Sequence, residues 1–543
     1  LLGLVGTVLG IGLGLIFGRA AVGLVSQTIS DLYFTVNVQR VTVDTFTLLK
    51  GAGIGLLASI AIAVVPSFDA TRTPPAGTLR RSETESRARR LLPYILMAAI
   101  GLMLIGILLL ALPSQSIVIS FAALFCIIVG GALLTPPALL LFMSLLTPVT
   151  GALFGVLGRM APRAVARSLS RTSVAVAALT VAVSVIVGVS VMIGSFRNTV
   201  ADWLDTTLGA DIYISPPQVT ATRVTADVDP AIAEQIAAVP GVVRVATARS
   251  VNVVAPDYPD LPPVNLTASS GDVTSRPRTF VWVEGESEDY WSLLDAGGVM
   301  VSEPFAFRRG LSQTDNQITL VTDRGEQTFT VVGVYYDYAT DQGTVIVADS
   351  VYRRFYDDPY ISTIAAFVAE DADPAAVIDA LRSGPLANSE LMAQSNRALR
   401  TGVFEVFERA FSITIALRLL ATIVAFIGIL SALMALQLEE TRQYGTMRAV
   451  GMTPRQLWNY TVIQTGLMGV TAGALALPIG VVLALVLIYV INVRSFGWTM
   501  QLTLSPNEFI IAFAVAVVAA LAAGLYPAWR LTRLVTARAL RSE

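Results

Sequence analysis

Chemistry in this sequence would fall to carboxylates, arginines and hydroxyls, because the other usual agents are nearly absent. The 543 residues contain no His and a single Cys, Cys126. Neither a Cys/His zinc site nor a Ser-His-Asp or Cys-His nucleophile system can be assembled from them, and a disulfide within the chain is excluded. Lys50 is the only Lys, and no Gly-rich phosphate loop precedes it. A Walker-type ATPase is therefore excluded as well, and any ATP chemistry belongs to a partner. The acids Glu284, Glu286, Glu288 and Asp289 read as a solvated surface rather than a metal site. A second cluster is more suggestive: Glu439 and Glu440 are followed by Arg442, Tyr444, Gly445, Met447, Arg448 and Gly451. It offers both signs of charge within a few residues, and its glycines permit a turn and a close approach, as a docking segment requires. Composition alone would favour the plainer reading, a solvated membrane flank with positive-inside Arg.

The elements that must position these residues are membrane helices. Hydrophobic residues make up 54% of the chain, charged residues 14%, and the mean hydropathy is +0.68, outside the range of ordinary soluble domains. The net charge of −2 gives no support to a nucleic-acid partner. Eight stretches are long and apolar enough to span: Gly3–Val25, Phe46–Val65, Leu92–Leu112, Ile117–Leu146, Ser173–Ile193, Ile413–Leu436, Thr461–Ile491 and Phe509–Leu525. The expected architecture is an α-helical transmembrane bundle of about eight spans with one inserted α+β extracytoplasmic domain. Arginines concentrate in alternate connections, at Arg72 to Arg90, Arg159 to Arg171, Arg442 to Arg455 and Arg530 to Arg541, which places these and the C-terminus in the cytoplasm of a multi-pass plasma-membrane protein. Arg19 and Arg418 read as side chains snorkelling to the interface, and Cys126 as packing. Asp and Glu are absent from the spans, which leaves an intramembrane enzyme without candidates.

Between the fifth and sixth spans the pattern changes to short strands and helices. Strands are expected near Ala210–Ile214, Val242–Val254, Phe280–Val283, Gln317–Val321, Thr328–Tyr335, Thr344–Val347 and Thr363–Val368, and helices at Pro230–Val239 and Pro374–Leu381. Glu390–Arg409 reads as a helical stalk leading into the sixth span. The chain ends also repeat. Val65-Pro66-Ser67-Phe68-Asp69-Ala70-Thr71-Arg72 aligns without a gap on Tyr526-Pro527-Ala528-Trp529-Arg530-Leu531-Thr532-Arg533, and Gly3, Gly6 and Gly10 share their spacing with Gly466, Gly469 and Gly473. Two copies of one module are expected. The second has a preceding helix and loop that the first lacks, so the sequence suggests two further spans before Leu1, about ten in all.

The run from Leu438 to Leu457, with Gly445-Thr446-Met447-Arg448-Ala449-Val450-Gly451 at its centre, resembles the matching segment of FtsX-like ABC transporter permeases of the macrolide-exporter or lipoprotein-release type, in a two-copy, N-terminally truncated form. Pro527, Ala528 and Arg533 after the last span are similar to that family, as are Pro240-Gly241-Val242 and Val331-Val332-Gly333-Val334 in the inserted domain. The resemblance implies a permease subunit with no catalytic residue, metal or cofactor of its own. ATP would be hydrolysed by a separate cytoplasmic ABC ATPase docked at Glu439, Glu440, Arg442, Tyr444, Gly445, Met447, Arg448 and Gly451. It also implies export or mechanotransmission, a homo- or hetero-dimeric permease surrounded by lipid, and an extracytoplasmic partner. The alternative is a non-transporting anchor that regulates an extracytoplasmic enzyme. On this reading residues 1–82 end the first repeat, 83–172 link, 173–193 lead outward, 194–408 form the outside domain and 409–543 the second repeat.

Overall fold

The computed structural model describes residues 2–32, 44–72, 82–217, 226–286, 289–405 and 444–532, with five further positions between 423 and 434. Six helices precede the inserted domain: α1 (Leu2–Leu32), α2 (Thr45–Arg72), α3 (Ser82–Ala111), α4 (Ile117–Leu133), α5 (Thr135–Arg167) and α6 (Leu169–Thr207). Among the described residues two long helices follow it. Pro454–Val486 continues through a π-turn at Leu487–Asn492 to Phe496, and Pro506–Thr532 comes last. Among the described residues, five helices are long and apolar enough to cross a membrane: Arg89–Ala111, Thr135–Arg167, Leu169–Thr207, Pro454–Phe496 and Pro506–Tyr526. Shorter apolar helices, Gly3–Ile16, Thr45–Ile60 and Ile117–Leu133, accompany them. Nearly all of the expected span Ile413–Leu436, Arg418 included, lies outside the described residues.

The expected single span Ile117–Leu146 is divided. Leu134 closes α4 by donating its N–H to Gly130 and Gly131, and Pro136 and Pro137, which have no N–H, open α5. Nor is α5 one rod. Gly155 has φ 62 and ψ −134, a combination open to glycine alone, and the chain folds back there so that the Thr150 hydroxyl donates to the Gly158 carbonyl at 2.6 Å. In an unbroken helix those residues would be about 12 Å apart. The returning arm buries Ala161 and Val165 and exposes Arg159, Arg163 and Arg167.

At the centre of the bundle α6 lies against both the Pro454 and the Pro506 helix. Small residues allow the approach. A Cβ on Gly480 would stand 2.5 Å from the Val187 Cβ and 2.9 Å from the Ser184 carbonyl, so the two backbones nearly touch.

The two helix pairs expected to repeat both pack through small residues, in a register one helical turn from the one expected. In the first module Gly3 abuts Ser59, and Thr7 abuts Gly55. In the second, Gly469 abuts Ala520, and Gly473 abuts Ala516. With Pro66 set on Pro527, Ser59 matches Ala520 and Gly55 matches Ala516, so Gly3 corresponds to Gly469 rather than to Gly466. The glycine spacing was ambiguous because glycines stand about a turn apart in both helices, at 3, 6, 10, 14 and 18 in α1 and at 466, 469 and 473 in the Pro454 helix.

The inserted domain is one mixed sheet of ten strands among the described residues, in the order β10-β1-β9-β2-β3-β8-β5-β7-β4, with β6 paired to β7. The strands are β1 (Ile212–Ser215), β2 (Val242–Val253), β3 (Val264–Ser269), β4 (Phe280–Val283), β5 (Val299–Ser302), β6 (Gln317–Thr322), β7 (Gly325–Tyr335), β8 (Thr344–Ala348), β9 (Thr363–Val368) and β10 (Met392–Ser395). Pairs β3/β8 and β5/β7 are parallel and the rest antiparallel. Helices Ala231–Ala237 and Pro374–Ser383 cover one apolar core, around Ile212, Ile236, Ile364 and Leu381. A larger core around Leu266, Met300, Phe305 and Val331 fills the other half. The expected stalk is partly wrong: Met392–Ser395 is a strand bonded to β1, and helix begins only at residue 396.

Candidate functional site

Of the eight residues expected to dock a partner, Glu439, Glu440 and Arg442 lie outside the described residues. The other five form a short helix and its stop. Residues 444–449 are helical, and the chain then makes a two-bond C-terminal cap in which Gly451 N–H donates to the Arg448 carbonyl and Met452 N–H to the Met447 carbonyl. Gly451 sits at φ 106, which a side chain would strain. A new helix starts at once. The Thr453 hydroxyl accepts from Gln456 N–H, the Gln456 side chain accepts from Thr453 N–H, and Pro454 occupies the first helical position.

This tight corner divides its residues by exposure. Tyr444 is 2% exposed and meets Tyr460 edge-on at 6.4 Å, so it anchors the corner to the Pro454 helix. Gly445 is buried beside it, Met447 and Arg448 are half-buried, and Val450, 85% exposed, forms the tip together with exposed Gly451. Tyr444 and Gly445 are thus structural, Met447 and Arg448 lie at the edge, and Val450 and Gly451 present the surface.

From that corner one helix runs the height of the bundle. Pro454–Phe496 has 43 residues, about 65 Å at 1.5 Å per residue. Near its far end the π-turn lets Asn492 turn inward and donate to the Trp498 carbonyl at 2.8 Å. Arg494 pins the turn between α3 and α4 by donating to the Leu110 and Leu112 carbonyls and to the Ser120 hydroxyl.

The loop that follows is a junction with the inserted domain which the sequence did not reveal. Thr499 donates its N–H (2.9 Å) and its hydroxyl (2.5 Å) to the two oxygens of the Glu303 carboxylate, and Tyr338 donates to the Thr499 carbonyl at 2.9 Å. Trp498 stacks on Phe496 at 5.3 Å and meets Tyr338 edge-on at 5.8 Å. Across the same loop Gln501 N–H donates to the Thr199 hydroxyl and Thr503 N–H to the Ser195 hydroxyl, both on α6. Tyr335-Tyr336-Asp337-Tyr338 and Phe496 with Trp498 were the available signals, aromatics at a membrane edge.

The two stems of the inserted domain are fastened to each other as well. Asn396 donates to the Leu208 and Ala210 carbonyls, each at 2.8 Å, and Arg400 pairs with Asp205 at the end of α6. Inside the domain, Arg249 joins the two sheet halves through Asp358 (2.5 Å) and Asp227 (2.8 Å).

Burial and bonding decide the charges here. Burial pushes the Glu303 carboxyl above its ordinary value, and the two Thr499 bonds only partly oppose it. Burial likewise raises Asp337, against bonds from Ala339 N–H and the Thr344 hydroxyl. For Asp358 burial acts upward, but bonds from Tyr360 N–H, Arg249 and Tyr352 outweigh it and hold the carboxyl below its ordinary value. Arg309 is buried and lies over the Phe305 ring at 3.9 Å, and desolvation lowers it to about 10.

Residues 415–535 match the family described as FtsX-like permease C-terminal, and residues 172–383 match the MacB-like periplasmic core domain. Over 542 residues, the full chain, the sequence is 45% identical to an uncharacterized ABC transporter permease protein of Mycobacterium tuberculosis (strain ATCC 25618 / H37Rv), and it spans 63% of that relative's length. Among solved structures it is similar to the periplasmic region of MacB from Actinobacillus actinomycetemcomitans, with 12% identity over 37% of this chain and 94% of that one and a TM-score of 0.27. The extracellular domain of the noncanonic ABC-type transporter YknZ from Gram-positive bacteria is also similar, with 13% identity, coverage of 34% and 98%, and a TM-score of 0.25.

Proposed function

Because the chain carries the FtsX-like permease and MacB-like core parts of an ABC transporter permease, we propose that it couples a separate cytoplasmic ATPase to its extracytoplasmic domain. In this reading the corner at residues 444–456 faces the cytoplasm and receives the ATPase, together with Glu439, Glu440 and Arg442. ATP is bound and hydrolysed by that partner. The observation that carries the reading is mechanical continuity. The corner is packed on the base of the Pro454 helix through Tyr444 and Tyr460, and the other end of that helix leads directly into the Glu303–Thr499 junction. A displacement at the base has a helical path to the extracytoplasmic domain.

The test is association. With the cognate ABC ATPase co-expressed, Arg448→Glu should reduce its co-purification about tenfold or more, since a charge-assisted contact contributes roughly 1–3 kcal/mol. Glu440→Arg should act in the same direction. Arg163→Glu, on the exposed side of the α5 arm, serves as the control. Arg89 is unsuitable for that purpose, although the sequence reads as a plain flank there, because it donates to the Ala166 carbonyl at 3.0 Å and ties α3 to α5. Equal retention by Arg448→Glu and Arg163→Glu would overturn the docking assignment.

A further inference from the structure

On the first arm of α5, Leu141, Leu145, Val149 and Leu153 are exposed and stand four apart, which puts them on one face of the helix. No charged residue lies between Thr135 and Gly158. Phe154 and Val156, the latter 72% exposed, carry the apolar surface around the turn at Gly155. Past the turn the spacing persists and the chemistry changes. Arg159, Arg163 and Arg167 are the exposed positions of the returning arm, again four apart. On its other side Ala161 and Val165 join the buried cluster that contains Leu169 of α6 and Tyr460.

A guanidinium does not enter hydrocarbon unpaired, so the change from Val156 to Arg159 sets the level of the lipid headgroups. The three guanidiniums are spread over about 12 Å of helix, and among the described residues none has a carboxylate partner. From residue 86 to residue 201 the sequence has no Asp or Glu at all. The Arg159 stem rests on Gly151, where a Cβ would stand 2.8 Å from its Cγ, and its charged head stays outside.

We propose that this face of α5 binds anionic phospholipids, with acyl chains on the stripe that ends at Val156 and headgroups on Arg159, Arg163 and Arg167. Charge complementarity selects the head. A phosphodiester pairs with a guanidinium through two N–H donors, whereas the choline of a zwitterionic lipid brings a further cation to a surface that already has three. The apolar stripe selects a lipid over a soluble acid, because a lipid presents apolar and anionic parts in the same order. Binding requires only that α5 lie in a membrane, wherever the ATPase docks. The bound lipid also fixes the start of α6, since the Val165 carbonyl accepts from the Thr172 hydroxyl at 3.1 Å.

The test counts lipid. The full chain, purified from micelles with equal amounts of phosphatidylglycerol and phosphatidylcholine, should carry about tenfold more of the first. Arg159→Gln, Arg163→Gln and Arg167→Gln together should remove most of that preference, while the same change at Arg80, Arg81 and Arg87 should leave most of it. Equal loss from both triple variants would mean an effect of net charge and would overturn the proposal. So would displacement of the lipid by inorganic phosphate but not by chloride at equal ionic strength, which would mark a site for free anions. Loss of the ATPase from the first triple variant with the lipid ratio unchanged would assign the arm to docking and would also overturn it. A second measurement keeps all the arginines. In a Cys126→Ser background, a bimane label on Phe154→Cys should be quenched more by phosphatidylglycerol with a nitroxide on its acyl chain than by phosphatidylcholine labelled in the same way. Equal quenching by the two lipids would overturn the proposal, as would quenching by aqueous iodide alone.

Discussion

Two carboxylates of the extracytoplasmic domain are moved in opposite directions, and what shares their burial sets the sign. Glu303 is surrounded by neutral donors, so desolvation prevails and its folded value lies above its unfolded one. Its contribution to stability is present below the ordinary carboxylate value of about 4 and is lost as pH rises through the raised value. Asp358 accepts from Tyr360 N–H, Arg249 and Tyr352 and is held low against its burial, so its contribution is present above about 4 and is lost as pH falls through the depressed value. Thermal melts of the reconstituted chain from pH 3 to 7 should separate the two. Glu303→Gln should flatten the decline on the neutral side, and Asp358→Asn the decline on the acid side. If Glu303→Gln leaves the neutral side unchanged, the junction carboxylate is not the group that titrates there. Arg249 itself is hard to replace, because one planar fork serves Asp358, Asp227 and the Ala226 carbonyl.

Among the elements, α5 is the one whose shape depends on a single residue. Gly155→Ala places a Cβ where φ is 62 and ψ is −134, at a cost of about 1–3 kcal/mol, which the arm can relieve only by swinging away from Thr150. In a Cys126→Ser background, Arg163→Cys should then change its labelling rate by a water-soluble maleimide when Gly155→Ala is added; an unchanged rate would mean that the turn tolerates alanine. This turn was not legible in the sequence, where Gly151, Gly155 and Gly158 look alike. The elements that were legible have local causes. Phe280–Val283 and Thr363–Val368 were placed at their observed boundaries because they are β-rich runs bounded by turn residues. Gly451 was read as permitting a turn and is the stop of the corner, whereas the cap of Thr453 with Gln456, which starts the next helix at Pro454, was missed. By contrast, β3 carries Asn265, Thr267 and Ser269 and reads as loop. It is a strand because β2 and β8 hydrogen-bond to its two edges. The strand Met392–Ser395 was absorbed into an expected helix for the same reason, since its partner β1 lies far away in sequence. The Glu303–Thr499 contact joins residues 196 apart, and nothing in either segment names the other.

On the scale of the whole molecule, the described residues tie the extracytoplasmic domain to the bundle at two places, the junction and the stems, and each makes a prediction. If the junction lies on the route of coupling, then Glu303→Cys with Thr499→Cys, in a Cys126→Ser background, should lower ATP hydrolysis by the assembled complex when oxidised and restore it on reduction. Equal rates in both states would remove the junction from that route. A soluble fragment of residues 205–400 should be monomeric and melt cooperatively, since it retains both cores and the bonds of Asn396 and Arg400. One ending at residue 394 should melt several degrees lower. The stems have a further consequence. Strand β1 follows α6 and β10 precedes the helix at 396, and the two are antiparallel with Ile212 opposite Ser395, so both stems leave from the same end of that ladder. Pulling them apart therefore loads one rung at a time, as a zipper does, instead of shearing all four together. The Arg400–Asp205 pair opens first, then the bonds of Asn396, then Ser395 from Ile212, and because β1 is also held by β9 each further rung frees about 3.4 Å of β10. The domain is thus a graded, low-force spring along that direction, and a force–extension trace taken between residues 205 and 400 should begin with small reversible steps before any global unfolding.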